Sequence, residues 1–426
     1  MLAYYSKQNA KELTDAALVQ RSKALNLMAE VAYMRGNLKE AEGLYRQAMA
    51  GSGEAVRRSP DDPERLYEHA QNVFYVGEMA RFAGRPTDSE AAWREYKRLA
   101  DRMAALAPDN LKYRMEVLYA NENLGISLYN QHRFSEAGQL FAGAAGPMEK
   151  LASLYPDNTT YQVEFATVMA WIADSQRSRG NFALAIDARE RQVATLNRLL
   201  AKSADSDARS RLITAHAGLG HVLAESGQSE RAINELQSAV SEAEDLIPIE
   251  PRNAQWKSMA ADARLGLALT LLSLERRDEA EQQAAVGCIL TAGLPATYAA
   301  VRTHLQTICA MIRGRLALAG GDTQKAMSFA KQALMSARAE HSEDPISDQY
   351  RIANKYRLIG DVRRRGGDAA GAKVAWSSAL SQLPSNVAER PSEINERSEI
   401  LRRLNRPEQA ERLAARLKAI GYRGTG

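Results

Sequence analysis

Residues 124–144 read LGISLYNQHRFSEAGQLFAGA, and this stretch contains the pattern that decides the fold. The small residue Gly125 follows an apolar residue, Ala137 comes twelve positions later, and the ring of Phe141 follows after four more. Pairs of this kind occur eight times, with first members 46 to 48 residues apart: Ala29/Ala41, Gly77/Ser89, Gly125/Ala137, Ala173/Ala185, Gly220/Ala232, Ala268/Ala280, Gly314/Ala326 and Gly360/Ala372. An interval this regular predicts an array of structural repeats.

Each repeat contains the signals of two helices and of the turn between them. Seven residues after the first small residue, glycine stands in six repeats, with His132 and Glu275 in the other two. Glycine favours helix ends because it adopts the left-handed conformation without a steric cost. Prolines that end the second helix lie 31 residues after the small residue in five repeats, at Pro60, Pro108, Pro156, Pro251 and Pro345. The pattern predicts an all-α chain of hairpins, with helices of about 20 residues each.

The order apolar, small, turn glycine, alanine, aromatic, alanine, proline resembles the tetratricopeptide repeat, a helical hairpin of about 34 residues. The resemblance covers roughly 85% of the chain, with a period about 14 residues longer and without the early tryptophan of the family, where Leu25 stands in the first repeat. It implies a right-handed α-solenoid of about eight long hairpins. Bacterial arrays with a period of about 48 residues are similar to the C-terminal scaffold or sensor regions of signalling proteins that carry an effector domain upstream.

The repeat boundaries divide the chain into three predicted segments. Residues 1–13 are expected to be the end of a preceding helix or an N-terminal cap, because Glu12 stands where the preceding proline would fall. Residues 14–386 are expected to form the repeat array. Residues 387–426 are expected to form a shorter capping hairpin with a basic tail, since Pro391 and Pro407 each begin a short helical pattern.

The composition excludes several classes of protein. With 45% apolar and 25% charged residues among 426, the chain is typical of a soluble, folded protein. No apolar run approaches the roughly 20 residues of a membrane span and the first residues do not resemble a secretory signal, so we predict a cytoplasmic location. Two cysteines, Cys288 and Cys309, are too few for a disulfide scaffold or a four-cysteine metal site. We expect them to be buried thiols in a reducing compartment.

Motifs for catalysis, metals and cofactors are not evident in the sequence. Gly51-Ser-Gly lies before a turn without a preceding strand, which does not suit a phosphate-binding loop. His216 and His221 are five residues apart, so they point to different sides of a helix and cannot hold a metal from one face. We therefore predict no catalytic, cofactor-binding or metal-binding residues and no enzymatic activity.

The resemblance places the binding surface on the concave face, which the first helix of each hairpin lines. Positions three before, one after and four after the small residue share this face because they differ by three or four. The predicted partner-binding groove consists of Asn26, Glu30, Tyr33, Phe74, Glu78, Arg81, Glu122, Tyr129, Asp174, Arg177, His221, Arg357 and Arg364. Charged pairs such as Glu78 and Arg81 equally suit support of their own helix. In the sixth and seventh repeats the same offsets give apolar residues, among them Leu265 and Met311, for which groove and core both stay open.

These features predict a non-enzymatic protein-interaction scaffold that binds a peptide or a helix in this groove. The alternative is a ligand- or partner-responsive sensory module of a bacterial multidomain signalling protein whose effector domain is absent from this chain. Nucleic acid is a less favoured partner, although residues 351–426 carry 16 Lys and Arg against 8 Asp and Glu, because interleaved aromatic residues and a recognised module are missing there. The sequence leaves the partner's identity and the oligomeric state open.

Overall fold

The computed structural model describes residues 13–424, and within them the chain consists of α-helices without any β-strand. Residues 1–12, which include most of the predicted N-terminal segment, lie outside the described residues. The helices are α1 Asp15–Met34, α2 Leu38–Arg58, α3 Pro63–Phe82, α4 Pro86–Leu106, α5 Leu111–Asn130, α6 Phe134–Leu154, α7 Thr159–Ser178, α8 Phe182–Leu200, α9 Ser206–Glu225, α10 Ser229–Leu246, α11 Ala254–Ser273, α12 Arg277–Ala292, α13 Ala299–Ala319, α14 Thr323–Ala339, α15 Pro345–Arg365, α16 Ala369–Gln382, α17 Pro391–Arg403 and α18 Pro407–Ala419. Consecutive helices pair into hairpins, and a short 3-10 helix, Ala296–Tyr298, precedes α13.

The turn inside each predicted hairpin has the left-handed residue that the sequence indicates. Glycine occupies this position with a φ of 66° to 87° in six hairpins, while His132 and Glu275 adopt φ of 60° and 59° in the other two. The backbone N–H three residues after the last helical residue then donates to a carbonyl five residues earlier, as from Asn37 to Ala32 at 2.9 Å. This bond satisfies a carbonyl that the helix end leaves without a partner. The predicted turns are therefore confirmed.

The first helix of several hairpins begins with a side-chain cap. The Asp62 carboxylate accepts from the backbone N–H groups of Glu64 and Arg65, and Pro63 stands in the first turn of α3. Equivalent caps on α5, α7, α9 and α11 come from Asn110, Asn158, Asp205 and Asn253. These caps stabilise helix starts because they satisfy backbone donors without intrahelical partners.

Small residues allow the two helices of a hairpin to approach closely. A Cβ atom added at Gly125 would lie 2.5 Å from the Phe141 ring, and one at Gly360 would lie 2.3 Å from the Trp376 ring. Alanines at the paired positions, such as Ala29 and Ala41, are fully buried. The predicted complementarity between small residues and rings thus holds the hairpins together.

The chain divides into two compact units, residues 1–147 (unit 1) and residues 148–426 (unit 2). Each has apolar clusters of its own, such as Ala29, Tyr45 and Met79 in unit 1 and Leu236, Trp256 and Leu267 in unit 2. The boundary falls inside α6. It differs from the predicted division into an array at 14–386 and a terminal hairpin at 387–426, which remains a prediction.

The two cysteines are buried, as expected, but they are not free thiols. Cys288 of α12 and Cys309 of α13 form a disulfide, with Cα atoms 5.7 Å apart. The expectation of two separate thiols is therefore corrected. The sequence spacing of 21 residues gave no sign of this bond, because it depends on how α12 and α13 pack.

No single helix in residues 13–424 is both long and apolar enough to cross a membrane. One pair, Arg277–Ala292 with Ala296–Ala319, passes that test only when joined, and it is bent by 118° at the break.

Candidate functional site

Eight of the predicted groove residues lie on α1, α3 and α5 of unit 1. Side chains connect these helices directly: Lys23 pairs with Glu68 at 3.2 Å, and Gln71 donates to Glu116 at 2.8 Å. None of the eight is fully buried, and Tyr33 is 41% exposed. We call the surface formed by Asn26, Glu30, Tyr33, Phe74, Glu78, Arg81, Glu122 and Tyr129 the α1–α3–α5 face.

Aromatic rings on this face form two groups of contacting side chains. The Tyr33 and Phe82 ring centroids lie 5.7 Å apart. Tyr75 stacks on the buried Tyr45 at 4.7 Å, and Phe74 meets Tyr75 edge-on at 5.2 Å. The predicted offsets missed Tyr75 and Phe82, which are 37% and 40% exposed. Their position in α3, directly beside predicted groove residues, was the available signal.

The charged residues on this face include one ion pair and one exposed carboxylate. Glu78 and Arg81 form an ion pair, with the Arg81 Nε 2.9 Å from a carboxylate oxygen, and the Arg81 guanidinium lies 4.3 Å from the Phe82 ring centroid. Glu30 is exposed. Burial raises the pKa of Tyr75, and the negative charge of Glu30 raises it further. Burial raises the pKa of Tyr45 to about 12, with smaller contributions from the nearby Tyr75 and Glu30. Glu30 is thus near enough to these two tyrosines for its charge to act on them.

A crevice of about 650 Å³ lies between α2, α3 and α4, where His69 is among the lining residues. The His69 Nδ1 atom is 2.9 Å from the Ser52 hydroxyl, and burial lowers the pKa of His69. Ser52 is only 4% exposed and also accepts from Asn72, so this contact holds α2 against α3 and offers no nucleophile to a substrate. The Gly51-Ser-Gly stretch serves the same packing, because a Cβ on Gly53 would lie 3.2 Å from the His69 ring.

In unit 2, most of the predicted groove residues are engaged with other parts of the same unit. Arg177 binds the Glu225 carboxylate at 2.7 Å and 2.8 Å, and Asp174 accepts from Arg189 at 2.6 Å. Burial lowers the pKa of His221 to about 4, and the nearby Arg177 lowers it further. These side chains are parts of internal networks.

The same holds at the end of the array. Arg357 is buried and donates to Glu396 of α17 at 2.7 Å and 3.0 Å. Asp361 accepts from Arg403 of α17 at 2.6 Å and from the Trp376 indole at 3.0 Å. Among the predicted groove residues of this region, Arg364 is exposed.

The terminal hairpin supplies the partners of Arg357 and Asp361, and it also packs against the middle of unit 2. Ile420 covers Gly180, and the Arg423 backbone N–H donates to the Glu225 carbonyl at 2.8 Å. The Tyr422 ring lies 6.1 Å from the Phe182 ring. The sequence predicted a cap on the last repeat and did not show this long-range contact. The only available signal was the apolar Ile420 and Tyr422 in an otherwise polar tail.

The apolar stretch of the sixth and seventh repeats belongs to the core. Leu265 is fully buried in a cluster with the two cysteines, and Met311 is 8% exposed in the next cluster. Leu269, Leu272 and Leu318 are partly buried against these clusters. The structure thereby decides a question that the sequence left open.

Much of the positive charge near the C-terminus is neutralised locally. Arg390 pairs with Asp344 at 2.7 Å, Arg397 with Glu389 at 2.6 Å, and Arg403 with Asp361 at 2.6 Å. Pairs of this kind reduce the attraction for phosphate that unpaired arginines would provide.

The described residues, 13–424, contain no group of three or more His, Cys, Asp or Glu side chains that could hold a metal ion. His216 instead contacts Glu235 at 2.6 Å.

The paired helices, left-handed turns and small-residue contacts define an all-α helical solenoid of the tetratricopeptide type. A Rap protein complexed with competence and sporulation factor superposes with a TM-score of 0.50 at 14% identity, covering 94% of this chain and 98% of that chain. The apo form of RapI gives a TM-score of 0.52 at 10% identity, covering 74% and 97%. A tetratricopeptide repeat protein from Parabacteroides merdae gives 0.45 at 14% identity, covering 80% and 98%. At these identities the likeness concerns the fold. No protein-family model and no curated protein matches the sequence.

Proposed function

We propose that this chain is a non-enzymatic protein-interaction scaffold that binds a peptide or helix of a protein partner on the α1–α3–α5 face. The observation that carries the proposal is the set of three exposed rings, Tyr33, Tyr75 and Phe82, on the same face as the exposed carboxylate of Glu30. Exposed aromatic side chains that are already fixed by neighbours give binding energy at little cost in conformational entropy. The proposal favours unit 1, because in unit 2 Arg177, Asp174 and Arg357 already bind side chains of the same unit.

Selection of random linear peptides on the immobilised chain tests this proposal. Tyr33→Ala with Phe74→Ala should weaken binding of selected peptides at least tenfold, by fluorescence anisotropy, while the melting temperature changes little. Leu106→Ala removes an exposed apolar side chain from α4 and is the matched control. Unchanged affinity in the double variant, or a failure to select any peptide, would contradict the proposal.

A second candidate function is the ligand-responsive regulatory module of a larger signalling protein. The observation that favours it is the terminal hairpin of unit 2, which packs on Gly180 and hydrogen-bonds to Glu225. A ligand that binds better when this segment is detached would displace it. Hydrogen exchange with and without cell extract should then show loss of protection in α17 and α18. Protection that never changes would argue for the plain scaffold.

The proposed compartment is the cytoplasm, and the proposed partner is a protein rather than a nucleic acid. Local ion pairs of Arg390, Arg397 and Arg403 support the second point. A gel shift with duplex DNA at two salt concentrations tests it, and a tight, steeply salt-dependent complex would contradict it.

A further inference from the structure

From the α1–α3–α5 face we infer that Glu30, Tyr33 and Tyr75 form a subsite for a Lys or Arg side chain of the bound peptide. This inference rests on the proposed function and names the partner chemistry that the face selects. Glu30 and Tyr33 are three residues apart on α1 and therefore lie on one side of that helix. Tyr75 belongs to the neighbouring α3, and all three side chains are exposed.

The rings of this subsite are fixed by the protein. Tyr75 stacks on Tyr45, which is 2% exposed and therefore immobile. Tyr33 packs against Phe82, and the Arg81 guanidinium lies over the Phe82 ring, 4.3 Å from its centroid. A cation that binds against Tyr33 or Tyr75 thus meets an aromatic surface that needs little reorganisation.

The carboxylate of Glu30 differs from the other acidic groups on the same two helices. Within residues 13–424, α1 and α3 carry five carboxylates, and four of them have a basic partner: Asp15 pairs with Arg65, Glu64 with Lys112, Glu68 with Lys23 and Glu78 with Arg81. Glu30 is the one without such a partner in that part of the chain. Its charge therefore complements a cation from a partner.

Between α3 and α5, the chain itself binds a lysine with the same set of groups. The Lys112 ammonium lies 3.3 Å from the Tyr67 ring centroid and 5.8 Å from that of Tyr113, and 3.4 Å from the Glu64 carboxylate. Glu64 and Tyr67 are three residues apart on the first of these helices, and Tyr113 lies on the next. A cation is attracted to such sites by the ring quadrupoles and the carboxylate together.

The two sets share residue types and one spacing, but only the set at Glu64 includes a lysine. Glu30 and Tyr33 repeat the three-residue spacing of Glu64 and Tyr67 one hairpin earlier, although in the repeat register Glu30 corresponds to Glu78. The residue before Tyr113 is Lys112, whereas the residue before Tyr75 is Phe74. Phe74 supplies no positive charge, so a cation beside Glu30 has to come from the peptide. One carboxylate beside rings suits a Lys or Arg side chain better than a metal ion, which requires several oxygen ligands.

A comparison of two peptide selections tests the inference. Random linear peptides selected on the wild-type chain should be enriched in Lys or Arg at one position, and the same selection on Glu30→Gln should lose that enrichment. Glu40→Gln, which changes an exposed carboxylate on α2, is the matched control and should keep it.

A double-mutant cycle then assigns the contact. The best wild-type peptide is compared with a version carrying norleucine in place of its Lys, or alanine in place of its Arg. Glu30→Gln should weaken the original peptide about fivefold to tenfold and leave the affinity of the altered peptide unchanged. Peptides that bind without any dependence on Glu30 would overturn this inference while leaving the proposed function intact. A wild-type chain that selects no peptide would overturn both.

Discussion

Gly125 shows how much of this fold depends on single atoms. Phe141 occupies the space in which a side chain at position 125 would lie, at 2.5 Å from an added Cβ. The ring is 1% exposed and surrounded by core residues, so it cannot move aside without cost. The pairing of a small residue with a ring is therefore a steric requirement of the hairpin.

Gly125→Ala should lower the free energy of unfolding by about 1–3 kcal/mol, because the added methyl group overpacks the hairpin. Gly43→Ala is the control, since a Cβ at Gly43 in α2 meets no atom within 4 Å and replaces glycine inside a helix. That control should stabilise by up to about 1 kcal/mol. Urea unfolding measures both, and equal effects of the two substitutions would refute the steric explanation.

Lys355 gives a pH dependence at the same scale. Its side chain is 4% exposed and donates to the Met311 sulfur at 3.3 Å. Burial lowers the pKa of Lys355 to about 7, and the charges of Arg315 and Arg351 lower it further against the opposing effect of Glu396. Between this pKa and the unfolded value near 10.5, the unfolded chain binds more protons, so stability rises with pH.

Lys355→Met should accordingly be more stable than the wild type at pH 7, because the buried amine no longer has to lose its proton. The advantage should shrink by on the order of 2 kcal/mol between pH 7.5 and 9.5. Lys373→Met, at an exposed lysine of α16, is the control and should show no such trend. Chemical denaturation at four pH values measures the trend, and a pH-independent difference would show that folding does not lower the pKa of Lys355.

At the scale of the helices, the sequence was a good guide to what depends on local chemistry. The turns at Gly36 and His132 and the cap at Asp62 followed from their spacing alone, because steric freedom and capping act within a few residues. The groove offsets found the first helices but missed Tyr75 and Phe82, since side-chain exposure depends on the neighbouring hairpin. The candidate site was thus predictable by helix, and only in part by residue.

The link between α12 and α13 is the element that the sequence could not supply. Cys288 and Cys309 lie on different helices, so their proximity follows from packing between hairpins. Disulfides are rare in the cytoplasm. A cytoplasmic location predicts free thiols at these two positions, whereas the structure has a disulfide between them.

Alkylation of the protein from its own cells, followed by mass spectrometry, shows whether the two cysteines are thiols or a disulfide there. If the protein resides in the cytoplasm, both cysteines should be recovered as alkylated thiols, and purified protein should form the bond only on exposure to oxidant. Samples taken after reduction serve as the reference for full alkylation. Recovery of the oxidised pair directly from cells would refute the cytoplasmic proposal.

At the scale of the whole molecule, the terminal hairpin is the main departure from a simple stack. The repeats contact their sequence neighbours, whereas Ile394, Leu417 and Tyr422 share an apolar cluster with Phe182 and Leu219. Such contacts between distant parts of the chain cannot be read from a repeat pattern, which reports only on neighbouring hairpins.

Ile420→Ala with Tyr422→Ala should release the terminal hairpin without unfolding the repeats, because both side chains belong to this long-range contact. Hydrogen exchange monitored by mass spectrometry should become faster in α17, α18 and the end of α9. Exchange in α1–α5 should not change. Arg416→Ala, at an exposed position of α18, is the control. If the double variant exchanges like the wild type, the contact does not hold the hairpin in place.

The seating of Ile420 on Gly180 and of Arg423 on Glu225 restricts how unit 2 can evolve. An open array tolerates duplication or loss of a repeat, because each hairpin recognises only its neighbours. In unit 2, an extra hairpin between α10 and α17 would carry the tail away from Phe182 and expose the apolar cluster. The copy number of repeats in this unit is therefore set by the distance that its last residues must span, and lineages should vary these hairpins in sequence but not in number.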